Sequence, residues 1–186
     1  MTLTNRQNEI IDTALRLTAE GGIQELTIKN IAGQLGITEP AIYRHFRNKS
    51  EIVKAMIRKF DEGVSPETDR KGLEGIDAFI RSRIRQVMDN PSLAKVMFAE
   101  ELFLDDPEYS ELLLNLMHRH RSKLHQFFQE AQEFGEIRRD IDADLLFRLV
   151  FGPVRLLIKQ WGMSNQAFDL QAEEEKLLSA LRKILR

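Results

Sequence analysis

Between residues 26 and 49 the chain reads Leu26-Thr-Ile-Lys-Asn-Ile-Ala-Gly-Gln-Leu-Gly-Ile-Thr-Glu-Pro-Ala-Ile-Tyr-Arg-His-Phe-Arg-Asn-Lys49, and its polar side chains suit a polyanion with readable edges. The hydroxyls of Thr27 and Thr38, each beside the free N–H groups of a helix start, are natural phosphate ligands. Tyr43 offers a phenol proton and Lys49 a full charge to the same groups. The fork of Arg44 matches guanine O6 and N7, and Lys29 can reach the same kind of edge. Pro40 and Ala41 present apolar surface to a thymine methyl. Glu39 either accepts from cytosine N4 or repels phosphate, and His45 lies outward or at the margin.

Charge distribution agrees with that chemistry although the total does not. The 186 residues carry a net charge of −2. The first 50 hold six Lys/Arg against five Asp/Glu, the remainder 21 against 24. Arg44, Arg47, Lys49, Lys54, Arg58 and Lys59 cluster between residues 40 and 60 with Glu51 as the only acid, whereas Glu100–Glu111 holds six acids and no base. An anionic partner meets the local field of the first third.

Other chemistries find less support. With no cysteine, disulfides, thiolate metal sites and cysteine nucleophiles are excluded. No nucleophile elbow, phosphate-binding glycine loop or H-E-x-x-H motif occurs, so no catalytic residue is assigned and no enzyme is expected. His118, His120 and His125 lack the i, i+3 or i, i+4 spacing of a metal helix and stand beside Arg119 and Arg121. They are expected to be surface or partner-facing, with no metal and no cofactor. Charges interrupt every apolar stretch before the ~18 residues of a membrane span, and the first residues lack a signal-peptide core. A cytoplasmic protein without membrane contact is expected.

Helices must position these groups. Thr4 with Gln7 and Asn48 with Glu51 have capping-box spacing, and Asn90-Pro91 and Asp106-Pro107 pair a cap with proline at the first helical position. Helices are predicted at about 4–21, 27–35, 38–46, 48–62, 73–89, 91–104, 107–132, 141–163 and 168–185, with a linker or loop at 63–72. The fold class is all-α, about nine helices. In the informative stretch, Ile28, Ile31, Ala32 and Leu35 form one apolar stripe. Gly36 supplies a tight turn, Ile37 plugs the core, Thr38 caps, and Ile42 and Phe46 face inward at i, i+4. Two short helices joined through such a glycine are a helix-turn-helix, whose second helix enters the major groove.

Residues 4–60 resemble the DNA-binding domain of the TetR family of bacterial transcriptional regulators. The likeness runs from Arg6-Gln-Asn-Glu-Ile-Ile through Ala19-Glu-Gly-Gly and Leu26-Thr-Ile-Lys-Asn-Ile-Ala to Leu35-Gly-Ile-Thr and Ala41-Ile-Tyr-Arg-His-Phe-Arg-Asn-Lys49. It implies a helix-turn-helix domain over 1–48, a linking helix 48–62, and a ligand-binding and dimerising domain over 63–186. By position, Lys29, Glu39, Pro40, Ala41 and Arg44 match the base-reading sites, and Thr27, Thr38, Tyr43, His45 and Lys49 the phosphate-contacting or positioning ones. Helices 141–163 and 168–185 carry broad apolar stripes, which the resemblance pairs across a homodimer; Leu149, Gly152, Leu156, Leu177 and Leu181 are the candidate interface. A kink or a close helix approach is expected at Gly152-Pro153. Phe79, Met88, Met97, Phe98 and Phe127, with Glu101 as a polar anchor, are candidates to line a pocket for a hydrophobic or amphipathic small molecule. The function implied is a regulator, most simply a repressor, that binds a palindromic double-stranded DNA operator and is released by such a ligand. A DNA-binding regulator without a small-molecule ligand, or an activator, is the alternative.

Overall fold

The computed structural model describes residues 3–62, 70–96, 103 and 106–186. Among them there are nine α-helices, a short 3-10 turn at Ile23–Glu25 and no strand. The helices are α1 (Asn5–Gly21), α2 (Ile28–Leu35), α3 (Glu39–Tyr43), α4 (Lys49–Glu62), α5 (Gly72–Asp89), α6 (Pro91–Val96), α7 (Pro107–Glu133), α8 (Ala143–Met163) and α9 (Leu170–Leu185). The expected linker is described only at its last residues; of the helix predicted over 91–104, Pro91–Val96 is helical and Phe103, the one other described residue, lies in a turn.

Local chemistry accounts for most of the boundaries. At α1 both arms of the capping box form: Gln7 N–H donates to Thr4 Oγ1 at 3.2 Å and Thr4 N–H to Gln7 Oε1 at 2.9 Å. At α4 the box is offset. Glu51 N–H reaches Asn48 Oδ1 at 2.9 Å, while the Glu51 carboxylate accepts from Arg47 N–H at 2.8 Å, one residue before the expected donor. Helices α8 and α9 begin two residues later than predicted because Asp142 and Asp169 are their caps, accepting from Leu145 N–H and from Gln171 and Ala172 N–H. Helix α3 is shorter than the predicted 38–46. After Tyr43 the chain tightens, with His45 N–H on Ile42 O at 2.9 Å, and this turn carries Phe46 into the core at 5% exposure.

Helix α1 packs on α2, α4 and α6; α4 continues onto α7; α5 is central to the larger half, lying against α7, α9, α6 and α8; α8 bridges α6, α7 and α9. One continuous apolar core runs from Ile10, Leu15, Ile31 and Ile42 through Ile52, Met56 and Ile57 to Ile80, Leu124, Phe128, Val150 and Leu178. Helix α4 therefore belongs to both halves. Gly162 in α8 lies so close to Ala94 of α6 that an added Cβ would sit 3.0 Å from that backbone. The close approach expected at Gly152 is not made within the chain: that glycine is exposed, with nothing within 4 Å of an added Cβ, and α8 runs through Pro153.

Candidate nucleic-acid interface

The helix-turn-helix forms as its apolar pattern requires. Ile31, Ala32, Ile42 and Phe46 are buried beneath α2 and α3, and Gly36 takes the left-handed conformation (φ 64°, ψ 32°) that joins them. Gln7 Nε2 donates to His45 O at 3.3 Å, and Arg16 donates to Gln34 at 3.3 Å, so α1 braces both helices of the motif.

On this frame Lys29, Thr38, Glu39, Pro40, Tyr43, Arg44 and Lys49 are exposed, and Thr27, Ala41 and His45 half-buried. Tyr43 is 50% exposed although a tyrosine at helical spacing could equally have been core. Thr27 caps α2, its hydroxyl accepting from Asn30 N–H at 3.0 Å. Thr38 departs from expectation. It holds the capping position of α3 by backbone geometry, but its hydroxyl makes no capping bond, because Pro40 removes one of the N–H groups such a cap would serve.

The basic window divides in two. Lys54 pairs with Glu108 at 2.5 Å, which raises its pKa, and Lys59 pairs with Asp12 at 2.5 Å. These two cations join elements of the fold. Lys29, Arg44 and Lys49 face solvent without a carboxylate partner among the described residues, and Arg47 has only Glu51 at 3.9 Å. Exposed cations thus cluster on α2, at the end of α3 and at the start of α4, with Arg58 exposed farther along α4.

At its other end α4 is gripped by the body. Gln86 Nε2 donates to Lys59 O at 2.7 Å and Arg83 Nη1 to Phe60 O at 2.6 Å, while Asp61 takes Arg119 at 2.6 Å. His120 lies here too, 2% exposed, its ring 5.5 Å from Phe79 and 6.1 Å from Phe151. The expectation of a surface or partner-facing histidine is corrected: position 120 shares the apolar stripe Leu113, Leu116, Leu124 and Phe127 of α7. Burial, reinforced by Arg83, pushes the His120 pKa down to about 4, so the ring is neutral at pH 7. His118 is exposed, and His125 stands 2.9 Å from Asp144.

The pocket candidates scatter. Phe79 and Phe127 are buried, the former against His120 and the latter beside Gly75, whose added Cβ would meet its ring at 2.4 Å. Met88 is 40% exposed, on the flank of the stripe Ile80, Ile84 and Val87 in the last turn of α5, and does not join Phe79 in the interior. Met97, Phe98 and Glu101 fall outside the described residues. Among the interface candidates, Leu149, Gly152 and Leu156 form an outward face of α8, with Leu156 57% exposed, and Leu177 is half-buried. Leu181 is corrected: at 5% exposure it packs into its own protomer with Leu178 and Leu185, while Ala180 and Ile184 point outward.

Sequence reasoning passed over Arg83, Gln86 and Asp61. A signal was available for the first: Arg83 interrupts the stripe Ile76, Phe79, Ile80, Ile84, Val87, where a charge has to be buried.

Comparison with known proteins agrees with the geometry. Residues 10–56 match the family model described as bacterial regulatory proteins, tetR family, and residues 75–163 match that of the tetracyclin repressor-like C-terminal domain. The fold and its motif define a helix-turn-helix transcriptional regulator. The chain belongs to the TetR family. It is 24% identical to the fatty acid metabolism regulator protein of Bacillus subtilis over 181 residues, 93% of this chain and 92% of that one. It is 25% identical to the nucleoid occlusion factor SlmA of Photobacterium profundum over 171 residues, 87% and 86% of the two chains. The crystal structure of the regulator FadR from Bacillus subtilis in complex with stearoyl-CoA shares the fold, with a TM-score of 0.76, 24% identity and coverage of 96% and 99%. No helix among the described residues is long and apolar enough to cross a membrane.

Proposed function

We propose that this regulator is a cytoplasmic repressor without enzymatic activity, which binds a palindromic operator as a homodimer and is released by a hydrophobic or amphipathic small molecule. Residues 1–48 are the DNA-binding unit, 48–62 the link, and 63–186 the ligand-binding and dimerising unit. Lys29, Glu39, Pro40, Ala41 and Arg44 read bases; Thr27, Thr38, Tyr43, His45 and Lys49 hold phosphates or set the register.

The observation that carries the reading is the two-ended grip on α4. Its first residue, Lys49, belongs to the exposed basic surface, and its last turn is held by Arg83, Gln86 and Arg119 of the body. A ligand that shifts α5 or α7 therefore moves the DNA-binding surface and changes the distance between two recognition helices, which must meet major-groove faces ~34–36 Å apart. Support for the dimer comes from the outward apolar face of Leu145, Leu149, Gly152 and Leu156 on α8, which Ala180 and Ile184 extend on α9. Support for an amphipathic ligand comes from the Bacillus subtilis relatives, one named for fatty acid metabolism and one holding stearoyl-CoA.

Electrophoretic shift against operator fragments recovered by selection tests the reading. With Lys29 and Arg44 assigned to bases, Arg47 and Lys49 imply ~4 neutralised phosphates per dimer and a log–log salt slope of about −4. A slope near −1 overturns the assigned surface. Calorimetric titration of ligand with and without operator then tests release, since a coupling of ~1–3 kcal/mol must appear equally in both affinities.

A further inference from the structure

Arg83 is 1% exposed, in the interior where α4, α5 and α7 meet. Its Nη1 donates to Phe60 O, and its guanidinium carbon lies 5.6 Å from the Phe60 ring centre and 5.8 Å from that of Phe79. Nε and Nη2, the two groups that form the long edge of the fork, have no hydrogen-bond partner, and neither has Nε2 of the neighbouring His120. The nearest acid does not serve that edge: Asp61 is engaged by Arg119 at 2.6 and 2.9 Å and stands 3.6 Å from His120.

A buried guanidinium with two unpartnered nitrogens costs stability that an apolar side chain of similar volume would not. Its remaining bond, to Phe60 O, uses one of five donors. The free edge has the geometry of bidentate carboxylate recognition, two parallel N–H groups at fixed spacing. The Phe60 and Phe79 rings flank the guanidinium, and the neighbouring His120 ring packs on Phe60, Phe79 and Phe151.

We infer that the Nε–Nη2 edge of Arg83 anchors the carboxylate of an apolar acid, with His120 donating a further hydrogen bond from Nε2 and the hydrocarbon part lying on Phe60, Phe79 and Phe151. This rests on the ligand-binding reading above and assigns the chemical class of the ligand and its anchor. A single carboxylate balances the one uncompensated cation. A phosphate dianion brings a second charge with nothing to meet it, because His120 is neutral. A thioester carbonyl accepts at one point and leaves half the fork idle. Burial lowers the Arg83 pKa to about 10, so the cation persists at pH 7 and is there to be neutralised. Since the same guanidinium holds Phe60 O, the anchor and the last turn of α4 move together.

The test is calorimetric titration of the full chain at pH 7.5 with octanoate, decanoate, palmitate and phenylacetate. Each is matched by its alcohol, and the aliphatic acids also by their CoA thioesters. At least one acid is expected to bind wild type roughly 10–100-fold more tightly than its alcohol, the range of a charge-assisted pair. In Arg83→Gln, which stays polar but loses the charge and the fork, that preference is expected to fall to about twofold or less. In Arg83→Lys, which keeps the charge but not the fork, it is expected to be intermediate. Circular dichroism verifies that the variants are folded. Equal binding of acid and alcohol by wild type overturns the anchor without any variant, as does a folded Arg83→Gln that keeps the preference; Arg83 is then only a strut for α4. If thioesters alone bind and release operator, the anchor falls and the ligand reading stands. If nothing in the panel binds, both fall.

Discussion

The two halves treat buried polarity in opposite ways. Around α1 to α3 the only buried polar side chains among the described residues are Thr13 and Thr18. Thr18 is satisfied by its own helix, donating to Ala14 O at 2.8 Å. Every cation of the DNA-facing surface stays in water. In the body, Arg83, His120 and Glu174 are all buried, each standing on an otherwise apolar stripe. A surface that meets an external polyanion needs a plain apolar core beneath it to hold it still. In the body, buried polar groups instead leave part of their hydrogen-bonding capacity unused: Arg83 Nε and Nη2, His120 Nε2 and Glu174 Oε1 have no hydrogen-bond partner.

The sharpest break of this contrast is at the outer face. Leu156→Glu is expected to leave helical content and melting nearly unchanged, because the residue is 57% exposed, while operator affinity falls ~10²–10⁴-fold as two half-sites are no longer linked. Leu181→Glu, only 5% exposed, is expected to destabilise the protomer by more than ~3 kcal/mol through an unpaired buried charge. Sedimentation and thermal melting separate the two. A dimeric Leu156→Glu removes α8 from the interface.

Next in size is the buried histidine. With its pKa held down to about 4 by burial and by Arg83, and partly restored by Asp61, His120 refuses a proton that the unfolded chain accepts at 6.5. Stability is therefore unaffected above pH 6.5 and falls as pH drops from 6.5 towards 4, by about 3 kcal/mol at 1.36 kcal/mol per unit. Denaturant unfolding of His120→Gln across that range is expected to show a shallower pH dependence than wild type. Identical slopes mean that the ring is not sequestered.

On the DNA side the expected effects are smaller and more selective. Arg44→Ala should cost ~1–3 kcal/mol of operator binding and relax preference at one base of each half-site. Tyr43→Phe should weaken all sequences alike. Identical behaviour would erase the division between readers and positioners. Smallest is the link between Lys59 and Asp12, with side chains 18% and 47% exposed. A double-mutant cycle to alanine is expected to yield under ~1 kcal/mol, and a larger value would make this pair part of the grip on α4.

Amino-acid order alone settled what depends on near neighbours: the Thr4–Gln7 box, the left-handed turn at Gly36, the Asp106 cap, and the inward pair Ile42 and Phe46. These interactions span at most one or two helical turns, so periodicity and residue type suffice to read them. What only the tertiary structure decided was which stripe meets which. Helices α8 and α9 have more apolar residues than one face can use, and packing against α5, α6 and α7 assigned Leu178 and Leu181 inward and Leu156 and Ile184 outward. The same holds for Lys54 and Lys59, which belong to the basic window in sequence and to inter-helix ion pairs in space. Arg83 is the clearest case. Its place on an apolar stripe marked it for burial, but its hold on Phe60 O, 23 residues away, arises only when α4 and α5 pack together. A contact between distant residues leaves no periodic trace in either helix, because each is satisfied locally by its own backbone.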